Sequence, residues 1–142
     1  MVSRTLLIAS CALALGAHLW HSHQQAAFER QLEAMADVNG FVPVAAPIGA
    51  RADTVVILAP LNCPRAGAQR AAALAKYLSE HGIPNVRSAE YSVSGAGEDA
   101  MLMKATAAIA TGTLPVVLLN GRGEDNPAPW QVAAEYRSTQ RW

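Results

Sequence analysis

The stretch TVVILAPLNCPRAGAQRAAALAKYL, residues 54–78, joins an apolar, β-branched run to an alanine-rich run, with one cysteine at the junction. A short apolar run without alternation is typical of a strand that is buried on both faces. Pro64 suits the first helical position, where a missing N–H costs nothing, and the apolar residues after it recur at helical spacing. The stretch therefore predicts a buried strand, a turn that carries Cys63, and a helix.

The next segments predict a second strand and a second helix. Gly82 is a fitting cap for the end of the first helix, and residues 86–93 predict the second strand. Glu98 and Asp99 favour the start of the second helix because acidic side chains stabilise a helix N-terminus, and Gly112 ends this helix.

A third strand and a hairpin follow. Residues 115–119, PVVLL, predict the strand, and Asn120-Gly121 predicts a two-residue turn into the polar run RGEDNP. A last helix is expected over residues 127–137. Its predicted inward side consists of Trp130, Ala133, Ala134 and Tyr136. The order β-α-β-α-β-(β)-α predicts a small α/β sheet made from a parallel pair and a hairpin.

The N-terminus, MVSRTLLIASCALALGAHLW, places Arg4 ahead of an uncharged, mostly apolar run over residues 5–20. The pattern predicts an export or membrane signal, either an uncleaved anchor or a cleaved signal peptide. We expect a single-pass anchor in a bacterial-type inner membrane, with the C-terminal domain in the periplasm, because Arg4 keeps the N-terminus inside. A secreted form is an alternative, and so is a lipid anchor at Cys11, which follows Ile-Ala-Ser.

The composition and the positions of proline and glycine predict one folded domain. Residues 1–20 form the signal or anchor, residues 21–51 a spacer helix and linker with several Pro and Gly breaks, and residues 52–142 the domain. A chain of 142 residues that is 51% apolar can bury a core of this size. Eleven basic and eleven acidic residues give a net charge of zero, which argues against a nucleic-acid partner.

Three motifs in this order resemble the thioredoxin fold, and most closely its glutaredoxin branch. They are Cys63-Pro64-Arg65-Ala66 at the helix start, HGIPNV before the second strand and TLPVVLLNG across the third. The resemblance covers residues 54–136 and implies a three-layer sandwich around a small mixed sheet. It also implies that Cys63 is the exchange thiol and that its neighbours Pro64 and Arg65 contact a client.

A threonine-x-proline triplet precedes the third strand in that family, and its cis proline lies against the active cysteine. Thr113, Leu114 and Pro115 match this triplet position by position. The resemblance therefore implies a cis Leu114–Pro115 bond close to Cys63, and a client-binding role for the three residues.

Departures from the family argue against its usual cofactors. Pro60 stands where glutaredoxins usually carry a lysine, and RGEDNPAP replaces their paired glycines and aspartate, so glutathione use is not favoured. The Cys-Gly-Phe-Ser motif of iron–sulfur glutaredoxins is missing too. His18, His21 and His23 lack a neighbouring carboxylate or cysteine to complete a metal shell. We expect no cofactor and no metal.

The chemistry at Cys63 also follows from its position. A thiol at a helix N-terminus faces unpaired N–H groups, which favour the thiolate, and Arg65 and Arg70 would add positive charge. Ala66 occupies the place of a second cysteine, so an external thiol must resolve any mixed disulfide. The sequence thus predicts single-cysteine thiol–disulfide exchange with protein clients. The alternative is a redox-inactive thioredoxin-fold module that binds a protein partner in the cell envelope, with Cys63 a packed apolar side chain.

Overall fold

The computed structural model describes residues 4–93 and 99–140, with side chains described from residue 15 onward. Glu98, expected at a helix start, and the side chain of Cys11 lie outside the described part of the chain. The chain divides into two compact units between Ala34 and Met35.

The N-terminal unit is one helix, α1 (Arg4–Met35). The sequence predicts an apolar segment over residues 5–20 followed by a spacer helix, and the backbone is helical through both. Leu15, Leu19 and Trp20 are exposed to 63%, 69% and 70%. No helix among the described residues combines the length and the apolar character needed to cross a membrane.

The second unit is a mixed α/β fold, which confirms the predicted α/β class. In the described residues its sheet has five strands in the order β1-β5-β4-β2-β3. The strands are β1 (Val42–Pro43), β2 (Val55–Leu58), β3 (Asn85–Ser88), β4 (Val116–Leu119) and β5 (Arg122–Asp125). The helices are α2 (Ala66–Glu80), α3 (Ala100–Ala110) and α4 (Pro129–Thr139). Strands β2 and β3 are parallel, whereas β4 runs antiparallel to both β2 and β5.

Strands β2 and β4 are buried on both faces. On one face their side chains join a core cluster with residues of α2 and α4. The strand residues in that cluster are Val55, Ile57, Val117 and Leu119. On the other face, Gly123 of β5 lies against Leu118, Val44 and Ile109 of α3: a Cβ added at Gly123 would stand 2.9–3.3 Å from their side chains. The sheet is therefore covered on both sides.

One end of α2 and one end of α3 follow from local signals. Gly82, with φ +68°, ends α2 in a Schellman motif: Ile83 N–H donates to the Leu78 carbonyl at 2.9 Å, and Gly82 N–H donates to the Ser79 carbonyl at 3.1 Å. At the start of α3 the Asp99 carboxylate accepts two backbone N–H groups of the first turn at 2.9 and 3.0 Å.

The predicted hairpin is confirmed. Asn120 and Gly121 have φ values of 49° and 73°, as a two-residue turn with a positive φ at both positions requires, and they bring Leu119 opposite Arg122. The polar run after the turn forms β5, which is paired along its length with β4.

Several element boundaries differ from the prediction. The second predicted strand, residues 86–93, is shorter in the structure: β3 ends at Ser88, and Val93 makes only an isolated bridge to Pro47. Helix α4 runs two residues later than predicted, and its expected inward residue Trp130 is 63% exposed. Full burial on α4 begins at Val132, and in the first turn Pro129 and Gln131 are partly buried while Trp130 is exposed.

The folded unit also begins earlier than residue 52. The sequence predicts a linker up to residue 51, whereas Phe41 is 0% exposed in the main core cluster and β1 pairs with β5. Pro43 breaks the strand pattern in the sequence, yet an edge strand tolerates proline because one side of it needs no ladder hydrogen bond. Residues 41–45 are thus part of the sheet unit.

Replacing Phe41 with alanine tests this boundary. The variant should lose about 3–5 kcal/mol of unfolding free energy, because a buried aromatic side chain would leave a cavity. Denaturant unfolding of the full chain measures the loss. The matched control is Val38→Ala, since Val38 is 100% exposed and its loss should change little. Equal stabilities for the two variants would place Phe41 outside the core.

Candidate functional site

Two loops meet at one end of the sheet. Strand β2 ends at Leu58 opposite Val116, the first residue of β4, because the two strands are antiparallel. The loop that leaves β2 and the loop that enters β4 therefore lie at the same end. The first loop carries the predicted site residues Cys63, Pro64 and Arg65, and the second carries Thr113, Leu114 and Pro115.

Cys63 is a free cysteine, and the residue is partly exposed. The preceding residue, Asn62, has a left-handed backbone with φ 55°, a conformation that asparagine tolerates better than most residues. This turn follows β2 directly and presents Cys63 before α2 begins.

The expected helix start at Pro64 is wrong. Helix α2 begins at Ala66, and Arg65 is its N-cap with an extended backbone, ψ 151°, and no side-chain hydrogen bond to the helix. Cys63 thus lies two residues before the cap. Because the effect of the helix dipole falls off beyond the terminal turn, the helix end acts on this thiol less directly than the sequence predicts.

The first turns of α2 contact the loop that holds the triplet. Arg70 donates from Nη2 and Nε to the Leu114 carbonyl, at 2.6 and 3.1 Å. A Cβ added at Gly67 would stand 2.8 Å from the Cβ of Leu114, so the absence of a side chain lets the helix approach. The guanidinium of Arg70, expected to support the thiolate, binds this carbonyl instead.

The other side of the triplet is held by the end of β5. Thr113 N–H donates to the Asp125 carboxylate at 2.8 Å, and Asn126 N–H donates to the Pro115 carbonyl at 2.7 Å. The Leu114–Pro115 bond is cis, which confirms that part of the prediction. Within the triplet Thr113 is exposed, Leu114 is partly exposed and Pro115 is buried.

A cavity of about 250 Å³ lies beside Leu114. It is lined by Leu58, Ala59, Pro60, Ala89, Tyr91, Ala110, Leu114 and Val116. The Tyr91 hydroxyl donates to the Ala45 carbonyl at 2.7 Å, and burial raises the pKa of this phenol above its usual value. Cys63 is not among the lining residues, so the structure brings Leu114 to the cavity and leaves the thiol outside it.

The arrangement offers a nucleophile without a metal-binding shell. In the part of the chain that the structure describes, no group of three or more His, Cys, Asp or Glu side chains could hold a metal ion. Ala66, at the place of a second motif cysteine, is the exposed first residue of α2. The groups at this end of the sheet include the Cys63 thiol, the Leu114 carbonyl bound by Arg70, and the Asp125 carboxylate bound by Thr113.

Comparisons with models of protein families, with curated proteins and with solved structures give no match.

Two positioning residues, Gly67 and Asp125, are missed by the sequence prediction, and Arg70 is predicted only as a positive charge near Cys63 and not as a partner of Leu114. Gly67 does leave a signal, because glycine inside an alanine-rich helix costs up to about 1 kcal/mol relative to alanine and often marks a close approach. Arg70 and Asp125 leave no comparable signal, since each bonds a backbone group far away in sequence.

The contact between α2 and Leu114 can be tested at Gly67. Gly67→Ala should lower the unfolding free energy by about 1–3 kcal/mol, because the added methyl group overlaps the Leu114 side chain. Gly16→Ala is the control, since a Cβ there meets no atom within 4 Å. Thermal unfolding of both variants gives the comparison, and a stabilised Gly67→Ala variant would contradict the contact.

Proposed function

We propose that this protein performs single-cysteine thiol–disulfide exchange through Cys63, within a thioredoxin-like domain. The observation that carries the proposal is a free, partly exposed cysteine at the sheet end where Thr113-Leu114-Pro115 leads into β4. A thiol in an exposed turn can be reached by the disulfide of another protein, which a packed core cysteine cannot.

The element order supports the thioredoxin-like assignment. From β2 to α4 the chain runs strand, helix, strand, helix, strand, strand, helix, as the glutaredoxin resemblance implies. The triplet Thr113-Leu114-Pro115 stands directly before β4, in the position of the family triplet. The strand β1, paired to β5 at the sheet edge, is an addition to that order.

The exchange proceeds in two displacements. The Cys63 thiolate attacks one sulfur of a client disulfide, a new sulfur–sulfur bond forms, and the second client sulfur leaves as a thiolate. Because Ala66 offers no second thiol, an external thiol then attacks the mixed disulfide and releases Cys63. The external thiol becomes disulfide-bonded to the client. Overall one disulfide bond is broken and one is formed, so no outside oxidant or reductant is needed.

The surroundings of Cys63 suit a polypeptide client. Leu61 is 47% exposed two residues before the thiol, and both Pro64 and Arg65 are exposed after it. An apolar contact and a cationic contact thus flank the nucleophile, with Thr113 exposed on the neighbouring loop.

The compartment follows from the N-terminal segment. With residues 5–20 acting as an export or anchoring segment, the domain works in the cell envelope, where disulfides persist. Protease added to intact spheroplasts should then degrade the domain. Protection of the domain until the cells are lysed would place it in the cytoplasm.

Trapped mixed disulfides test the activity. On non-reducing gels of acid-quenched cells, the wild type should form higher-mass adducts that vanish on reduction, because no internal thiol resolves them. Cys63→Ser should abolish the adducts, and Cys11→Ser should retain them. Ala66→Cys should diminish them by supplying an internal resolving thiol.

An adduct pattern that is unchanged in Cys63→Ser would contradict exchange at this thiol. The redox-inactive module that binds a protein partner would then be the better account, because the exposed loop residues could contact a partner without any sulfur chemistry.

A further inference from the structure

Three carboxyl groups and one guanidinium are packed together where β5 faces α4. Arg122 and Glu124 project from β5, Glu135 projects from α4, and Asp37 comes from the loop that precedes β1. Glu135 is only 3% exposed. This group of four residues, the carboxyl cluster, includes neither Cys63 nor the triplet before β4.

Arg122, the cation of the carboxyl cluster, pairs with two of its three acids. Arg122 Nη1 lies 3.1 Å from Asp37 Oδ2, and Arg122 Nε lies 3.9 Å from Glu135 Oε1. Arg122 Nη1 also donates to the Phe41 carbonyl at 3.0 Å. The second oxygen of Glu135 accepts Asn39 Nδ2 at 2.9 Å. Arg122 therefore ties the loop to β5 and α4.

Glu124 has weaker partners than the other two acids. Its Oε1 accepts a long hydrogen bond from Gln131 Nε2 at 3.4 Å, and its Oε2 is buried without a hydrogen-bond partner among the described residues. A carboxylate oxygen with no donor is costly to bury, whereas a neutral carboxyl group costs much less. The geometry around Glu124 therefore favours the protonated form.

The loop over residues 37–41 lies directly on Glu124. A Cβ added at Gly40 would stand 2.8 Å from Glu124 Oε1, and the φ of Gly40 is +92°. The loop is closed internally, because Asp37 Oδ1 accepts the N–H groups of Asn39 and Phe41 at 2.8 and 3.0 Å. Movement of this loop would withdraw Phe41 from the core and release β1 from β5.

We propose that Glu124 is a proton-controlled latch, which holds the loop of residues 37–41 closed while its carboxyl group is protonated and loosens the loop when it ionises.

The charges that face Glu124 support this direction. Burial first, and then the negative charges of Asp125 on β5 and Asp37 on the loop, raise the pKa of Glu124, while the Gln131 hydrogen bond lowers it; together they bring it to about 7. From α4 the only ionisable neighbour in the cluster is Glu135, whose pKa is also raised, first by burial. Arg122 is held by the other two acids. An ionised Glu124 thus adds negative charge to a site that already has an excess of it.

The sign of the pH dependence follows from linkage. When the loop opens, Glu124 becomes solvated and its pKa returns toward the ordinary value of about 4.5. The stabilisation of the closed loop is complete below that ordinary value and is lost as the pH rises through about 7. Opening should therefore be more frequent in mildly alkaline solution.

Amide hydrogen exchange of the full chain tests the latch. Between pH 5.5 and pH 8.5, the protection factor of the Phe41 amide, corrected for intrinsic exchange, should fall about tenfold or more. Glu124→Gln should remove this pH dependence, because the amide keeps the shape and cannot ionise. Asp53→Asn, which changes an exposed carboxylate, should leave it intact.

The Val117 amide of β4 reports opening of the whole unit. Its protection should change much less than that of Phe41, because the latch opens only the loop. Three results would overturn the proposal: a pH-independent Phe41 amide in the wild type, a pH dependence that persists in Glu124→Gln, or equal loss of protection at Phe41 and Val117.

Discussion

Burial of both faces of β2 and β4 is the constraint on which the rest of the structure depends. A strand that is apolar on both sides needs a covering layer on each side, and the chain supplies α2 with α4 on one face and α3 with the segment around Val44 on the other. Because β4 runs antiparallel to β2, the end of one strand meets the start of the other. The packing of the core thus decides which two loops become neighbours.

The proposed exchange site uses this neighbourhood. The triplet loop is bound by Arg70 from α2 and by Asp125 from β5, so its backbone is fixed by elements that are themselves packed on the sheet. The thiol, by contrast, lies in a turn that precedes its helix. A fixed surface beside an accessible nucleophile suits a reaction in which a large client must be oriented and then released.

Strand β5 links the two proposals. Alternation along the strand places Gly123 toward α3 and Glu124 toward α4, while Asp125, the last residue, reaches back to Thr113. One short polar strand therefore serves both the site and the latch. Polar residues of β5 have tertiary partners in the fold: Arg122 pairs with Asp37 and Glu135, and Asp125 accepts the Thr113 N–H.

The sequence predicts the elements whose signals are local. The succession of β2 and α2, the Gly82 cap and the Asn120-Gly121 hairpin depend on residues close together in the chain, and the structure has all three, although α2 begins two residues after Pro64. Whether Val42–Pro43 forms a strand and whether Trp130 is exposed depend on which other parts of the chain pack against them. A short stretch of sequence does not contain that information. The carboxyl cluster is missed for the same reason, because Asp37 and Glu135 are far apart in the sequence of the folded unit.

The accessibility of Cys63 in the folded chain is the central claim, and its alkylation rate tests it most directly. In a Cys11→Ser background, so that one thiol reports, iodoacetamide should label the native protein within about tenfold of the rate for the unfolded chain, because the thiol lies in a partly exposed turn. Labelling that proceeds only at the rate of global unfolding would show that Cys63 is packed, and would contradict the account.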